Sequence, residues 1–138
     1  MIEEELKRII PSEISVFPKI TTGKDPYYFD RWDMDKYNGL ILRYWFWNRD
    51  RTKKNRKRVF IKEFQNLISD INQRGFLDSY LFENNCPKTL SDGKCGYVVI
   101  VRILEFLKCI SFTDKYQYLA IKSNLTKALM ANCNTAKK

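Results

Sequence analysis

Residues 40–47 have the sequence LILRYWFW, and we expect the sheet of this protein to be built around them. Its length and its β-branched and aromatic residues predict a strand, whose side chains point alternately to two faces. The first face is an ordinary apolar core face and is made of Leu40, Leu42, Tyr44 and Phe46. The second face mixes a guanidinium with two indoles and is made of Ile41, Arg43, Trp45 and Trp47.

The second face has two interpretations. In the one we favour, a helix covers it, so that Trp45 and Trp47 belong to the core and Arg43 reaches an acidic partner, because large aromatic side chains are usually buried. In the other, the face is open. Flat aromatic rings beside cations suit a single-stranded nucleic acid, which presents bases to stack and phosphates to neutralise.

Asn38-Gly39, directly before this strand, is a strong signal for a two-residue hairpin turn. A tight turn there would place Asp35 opposite Leu42 and Asp33 opposite Tyr44, and thus two carboxylates on the apolar face. Either the turn is longer, or residues 30–37 are not a regular strand. We therefore expect a turn at this point without a strict hairpin.

Outside this strand, apolar residues recur at helical spacing. They predict helices over residues 2–10, 61–74, 77–84 and 97–110, and Gly75 is expected in the C-cap position of the second of these. A last helix is predicted from Ser111 or Thr113 to about residue 132, with its apolar residues inward: Tyr118, Ile121, Leu125, Ala128 and Leu129. Residues 87–96 are predicted as a loop, and residues 134–138 as a frayed tail. We predict a single α+β domain over residues 1–138, in which four or five helices pack on a small, mainly antiparallel sheet.

Positive charge is concentrated in residues 49–58, which hold +6 of the net charge of +9. We expect an exposed basic loop here, because the segment offers few apolar side chains for packing. Its like charges repel one another, and an acidic partner would relieve that repulsion. Nucleic-acid backbones are such partners, because binding them releases counterions.

We therefore expect a small, non-catalytic protein that binds RNA or single-stranded DNA. The predicted contact residues lie in the basic loop and on the second face: Arg43, Trp45, Trp47, Arg49, Arg51, Lys53, Lys54, Arg56, Lys57 and Arg58. Three alternatives stay open for this basic segment. It could meet an acidic protein, as in an inhibitor or immunity-type module, it could meet an anionic membrane surface, or it could be a solvated loop with no partner.

The chain contains no histidine, which excludes histidine-based triads and dyads as well as mixed Cys/His zinc sites. The four cysteines contain no CxxC pair, so we expect neither a metal nor a cofactor and interpret them as reduced thiols. A disulfide between Cys86 and Cys95 is the alternative. A histidine-independent ribonuclease is the third candidate function, and its residue types would be those of Arg43, Tyr44, Lys57, Arg58 and Glu63.

The remaining features of the chain indicate a cytoplasmic protein. No stretch approaches the roughly 20 apolar residues that a membrane-spanning helix needs. The first residues are acidic, whereas a secretory signal begins with basic residues. Since 14% of the residues are aromatic and 44% hydrophobic, the chain has enough apolar material to fold.

Overall fold

The computed structural model describes residues 2–20, 23–114 and 117–129. Helices and strands alternate irregularly along these residues. Their bounds are α1 (Ile2–Ile9), β1 (Val16–Phe17), β2 (Tyr27–Asp35), β3 (Gly39–Trp47), β4 (Lys54–Phe60), α2 (Ile61–Arg74), β5 (Phe76–Leu77), α3 (Ser79–Asn85), α4 (Pro87–Ser91), α5 (Cys95–Phe106), β6 (Ile110–Asp114), β7 (Gln117–Ala120) and α6 (Lys122–Leu129). The predicted α+β class is confirmed.

Strand β3 lies inside an antiparallel sheet with the strand order β1-β2-β3-β4. It forms a hairpin with β2 in which Asp35 is opposite Gly39 and Asp33 is opposite Ile41. Three residues, 36–38, connect the two strands. The first of our two alternatives, a turn longer than two residues, is confirmed, and it moves Asp33 to the second face and removes the conflict of register.

The first face of the sheet carries the hydrophobic core, as predicted. Leu42 and Tyr44 are fully buried, and Phe64 and Leu67 of α2 join them in one cluster. Burying an aliphatic or aromatic side chain of this size stabilises the fold by about 1.5–3 kcal/mol. Helix α2 ends as predicted at Gly75, whose φ of 86° is the left-handed conformation that glycine adopts without strain.

Residues 87–91 form helix α4, so the predicted loop over 87–96 was wrong in its first half. The cause is a buried carboxylate on another helix. Glu63 of α2 accepts hydrogen bonds from the backbone amides of Lys88 and Thr89, each at 2.8 Å. These amides belong to the first turn of α4 and would otherwise lack partners. The Thr89 hydroxyl also donates to Glu63 and accepts from the Phe60 amide.

A second sheet, with the order β5-β7-β6, replaces the start of the predicted last helix. Burial along β7 alternates, with Tyr118 buried and Leu119 56% exposed, which is the period of a strand rather than of a helix. Helix α6 begins only at Lys122. The inward positions predicted for Tyr118 and Leu125 are nevertheless confirmed. The predicted helix end near residue 132 and the predicted tail lie outside the described residues.

Candidate functional site

The second face of the sheet is built by the register of three strands. Tyr28 of β2 and Arg56 of β4 lie opposite Trp45, while Lys54 lies opposite Trp47. Since directly opposed residues of antiparallel strands point to the same side, one surface gathers aromatic and cationic side chains. We call this surface the second face, and its members in this region are Tyr28, Arg31, Arg43, Trp45, Trp47, Lys54 and Arg56.

Three aromatic rings form a continuous cluster on the second face. The rings of Tyr28 and Trp45 are stacked, with centroids 4.5 Å apart and planes inclined by 23°. Trp47 meets Trp45 edge to face at 5.1 Å. Among the described residues, the core cluster takes its β3 members from the first face, and neither tryptophan belongs to it or packs against it. Both tryptophans are only half-buried.

The prediction that Trp45 and Trp47 belong to the core is therefore wrong. The buried residues of α2 join the first-face residues of β3 in one core cluster, and both tryptophans lie outside it. The related prediction for Arg43 is confirmed, because its Nε donates to Asp33 Oδ2 at 2.8 Å. This hydrogen bond is the main reason that the pKa of Asp33 lies below its ordinary value.

Cations surround the aromatic cluster. The Lys54 ammonium lies 4.3 Å from the centroid of the Trp45 ring and 5.7 Å from that of Trp47. Arg31 and Arg56 approach one carboxylate oxygen, Asp30 Oδ2, at 3.8 and 3.9 Å. These separations are too long for hydrogen bonds, and within the described part of the chain that oxygen accepts none. Both guanidinium groups are exposed and keep donors for another anion.

The basic segment is only partly a loop, which corrects our prediction for residues 49–58. Residues 49–53 form the turn, and from Lys54 onward the chain is strand β4. The last residues of β4, Val59 and Phe60, are buried, whereas the polar and charged residues before them show no apolar alternation that would have predicted the strand. The cationic side chains of this segment, which the sequence does not distinguish, therefore point to different faces of the sheet.

The structure separates the ten predicted contact residues by their partners. Arg51 binds the Asp25 carboxylate, with its Nε donating to Oδ2 at 2.9 Å. Arg58 donates two hydrogen bonds to Asp92, both at 2.9 Å, and these chiefly lower the pKa of that carboxyl. Lys57 lies opposite Tyr44 and so belongs to the first face. The remaining predicted cations of the segment are exposed and have no ion pair among the described residues: Arg49, Lys53 and Lys54.

Sequence reasoning missed Tyr28 and Arg31. Tyr28 reaches the second face through a β-bulge between Phe29 and Arg31, which inserts one extra residue and shifts the register. Arg31 lies there because it keeps the register of the hairpin turn, in which Asp33 is opposite Ile41. The concentration of aromatic residues from 27 to 47 pointed to this region, yet no residue type in the sequence announces the bulge. Arg56, in contrast, was predicted and does lie opposite Trp45.

The residues considered for a ribonuclease do not form a common site. Tyr44 faces the core, where burial is the largest cause of its raised pKa and its hydroxyl lies 3.0 Å from Cys95 Sγ. Arg43 lies on the opposite face of the same strand. Glu63 is occupied by the amides and the hydroxyl of α4 described above, and Arg58 by Asp92.

Three of the four cysteines lie in the described residues, 2–20, 23–114 and 117–129. No group of three or more potential ligands could hold a metal ion there. Cys86, Cys95 and Cys109 are free thiols, and burial raises the pKa of Cys109 to about 11. The fourth cysteine, Cys133, lies outside these ranges. Within them, no helix has the length and apolar character that crossing a membrane requires.

Comparison with known proteins gives no functional assignment. No protein-family model matches the chain, and no curated protein or solved structure is significantly similar to it.

Proposed function

We propose that the protein binds single-stranded RNA or DNA on the second face of its four-stranded sheet. One observation carries this proposal: the cluster of Tyr28, Trp45 and Trp47 lies outside the core and among exposed cations. Aromatic side chains offer surfaces on which unpaired bases stack, and neighbouring cations neutralise the backbone. In a duplex the bases stack on each other, so such a surface favours single strands.

The interaction energies favour a stacked base over the Lys54 ammonium as the neighbour of the two tryptophans. An exposed cation–π contact such as that of Lys54 contributes about 0.5–1 kcal/mol. Stacking of one base on an aromatic side chain contributes about 1–3 kcal/mol. A base can therefore displace the Lys54 ammonium, whose flexible stem lets it move to a phosphate. Lys54 then leaves the tryptophan ring and contributes to binding through its contact with the phosphate.

Four cations of this region are proposed to contact phosphates: Arg31, Lys53, Lys54 and Arg56. Arg43, Arg51 and Arg58 are assigned structural roles, because each already has a carboxylate at hydrogen-bonding distance. Breaking such a pair would leave a carboxylate without its partner, which offsets the gain from a phosphate contact. The proposal is thus narrower than the ten residues that the sequence suggests.

The test is the salt dependence of binding to a short oligo-U and oligo-dT. With four phosphate contacts, the logarithm of the association constant falls against the logarithm of salt concentration with a slope of about −3. The triple variant Lys53→Gln, Lys54→Gln, Arg56→Gln reduces the slope to about −1. A matched variant with three exposed lysines removed elsewhere, Lys7→Gln, Lys94→Gln, Lys127→Gln, keeps the wild-type slope.

Equal slopes for the two triple variants would contradict the proposal, because binding would then depend on overall charge and not on this surface. Polyglutamate is the second probe. Binding of polyglutamate in place of either oligonucleotide would favour the alternative, a module for an acidic protein partner. Cleavage of the oligo-U during the titration would favour the ribonuclease.

A cytoplasmic location is part of the same proposal. It is supported by the three free thiols of the described chain, because cysteines generally stay reduced in that compartment.

A further inference from the structure

An open cleft of about 540 Å³ lies where β3 ends, between the segment before β2 and the β3–β4 turn. Its volume is in the range of small-molecule sites, about 300–1,000 Å³. Trp47 lines the cleft and also belongs to the aromatic cluster, so the cleft and the second face meet at this residue. The other strand residues of the lining, Phe46 and Asn55, lie opposite each other and belong to the first face. A strand that ends on the Trp47 ring therefore has its terminal phosphate beside the cleft.

The cleft has an excess of positive charge. Lys19, Lys24 and Arg49 line it, and Asp25 is its one acidic lining residue in the part of the chain that the structure describes. That carboxylate is already bound by Arg51, and the hydrogen bond from Arg51 is the largest cause of its lowered pKa, to which Lys19 also contributes. Asp25 is therefore ionised and compensated, and the charges of Lys24 and Arg49 remain for a ligand.

The wall that carries Lys19 is held in place by a long-range contact. Arg102 of α5 donates to the backbone oxygens of Pro18 and Lys19 at 2.6 and 3.1 Å. The Lys19 ammonium lies 5.0 Å from the ring centroid of Tyr27 and 5.5 Å from that of Phe46. A cation held over two aromatic rings loses little freedom when it meets an anion, so binding there requires little further ordering.

We propose that this cleft binds a phosphomonoester, namely the phosphorylated end of the strand held on the second face. The inference rests on the proposed function and adds the recognition of one strand end. A phosphomonoester carries a charge of about −1.5 to −2 near pH 7, whereas a diester within the chain carries one. Three cations around a single compensated carboxylate match the larger charge.

The experiment compares three oligo-dT probes of equal length at constant ionic strength: 5′-phosphorylated, 3′-phosphorylated and unphosphorylated. We expect one of the two phosphorylated probes to bind about tenfold more tightly than the unphosphorylated one, as charge-assisted hydrogen bonds provide. Lys24→Gln removes this preference, and Lys7→Gln, which changes an exposed lysine outside the cleft, keeps it. Inorganic phosphate competes with the terminal phosphate for the cleft and so abolishes the preference. It leaves binding of the unphosphorylated probe unchanged.

Equal affinity for the three probes overturns the phosphate site and leaves the proposed function standing. A small, equal gain at both ends also overturns it, because general attraction to a basic chain would give that result. A preference for a phosphorylated probe that persists in Lys24→Gln overturns the phosphate site as well. If none of the probes binds, the proposed function fails and this inference fails with it.

Discussion

The two faces of β3 are made by alternating residues of one strand, and they have opposite surroundings. On the first face Leu42 and Tyr44 are fully buried beneath the helices. On the second face Trp45 and Trp47 are half-buried and lie beside exposed cations. Both faces are rich in apolar side chains, so hydrophobicity alone does not decide which one becomes core.

The comparison shows how a small domain can separate folding from binding. Helix packing on one face supplies the stability, and the other face keeps apolar surface accessible. An accessible aromatic cluster does not gain the stabilising free energy that its burial would provide. Exposed apolar surfaces of this kind commonly mark interaction sites. We therefore expect substitutions on the first face to change stability, and substitutions on the second face to change binding.

The largest effect is expected for Leu42→Ala. Truncating a fully buried leucine leaves a cavity, and we expect it to lower the free energy of unfolding by about 2–5 kcal/mol. Trp47→Ala, five positions along the same strand, lowers it by about 1 kcal/mol, since the ring loses mainly its contacts with Trp45 and Lys54. Urea unfolding followed by far-UV circular dichroism measures both. A loss as large for Trp47→Ala as for Leu42→Ala would mean that the second face is core after all.

The next effect is on binding. We expect Trp47→Ala to weaken binding of oligo-U by about 1–3 kcal/mol, which is the contribution of one stacked base. Leu40→Val on the first face serves as the matched control, because Leu40 belongs to the core cluster and lies at the other end of β3 from the cleft. Fluorescence polarisation of a labelled oligonucleotide measures both affinities. If Leu40→Val weakens binding as much as Trp47→Ala, the two faces are not functionally distinct.

The smallest effect concerns Arg58, which is opposite Arg43 in the sheet but binds Asp92. The lowered pKa of Asp92 means that its ionised form is favoured in the folded state. The pair therefore stabilises the protein fully above the unfolded pKa of about 4, and this contribution is lost as the pH falls through the lower folded pKa. The Asp92 side chain is 17% exposed and that of Arg58 is 38% exposed. We therefore expect the pair to contribute about 1 kcal/mol or less to the free energy of unfolding.

Unfolding of the wild type and of Asp92→Asn, measured from pH 7 down to about pH 2, tests this assignment. The difference in stability should be constant at neutral pH and shrink below about pH 4. Oligonucleotide binding near neutral pH should be the same for both proteins. A clear change in affinity for Asp92→Asn would return Arg58 to the binding surface.

The sequence was sufficient for the elements that depend on local pattern. The alternation in β3 predicted its core face, and the apolar stripe with Gly75 predicted α2 and its end. The position of α4 was not predictable in this way. It depends on Glu63, which lies more than twenty residues earlier and contacts α4 only in the folded chain.

Less of the candidate site was predictable, because it depends on which side of a strand each cation points to. The basic segment appeared uniform, yet pairing with β3 sends Lys57 to one face and Arg56 to the other. The bulge in β2 brings Tyr28 to the second face. Whether a helix covers an aromatic face depends on how much apolar surface the helices have in total, and a local pattern does not contain that information.

The most direct test of the second face uses its own fluorophores. Trp32 reports on a different environment, because its indole Nε1 donates to the backbone oxygen of Ile10 and its ring packs against the core. We expect oligo-U and oligo-dT to quench the fluorescence of the wild type and of Trp32→Phe. The double variant Trp45→Phe, Trp47→Phe should still bind, since phenylalanine also stacks, but its fluorescence should not be quenched. Quenching that persists in the double variant, or wild-type binding without quenching, would contradict the account.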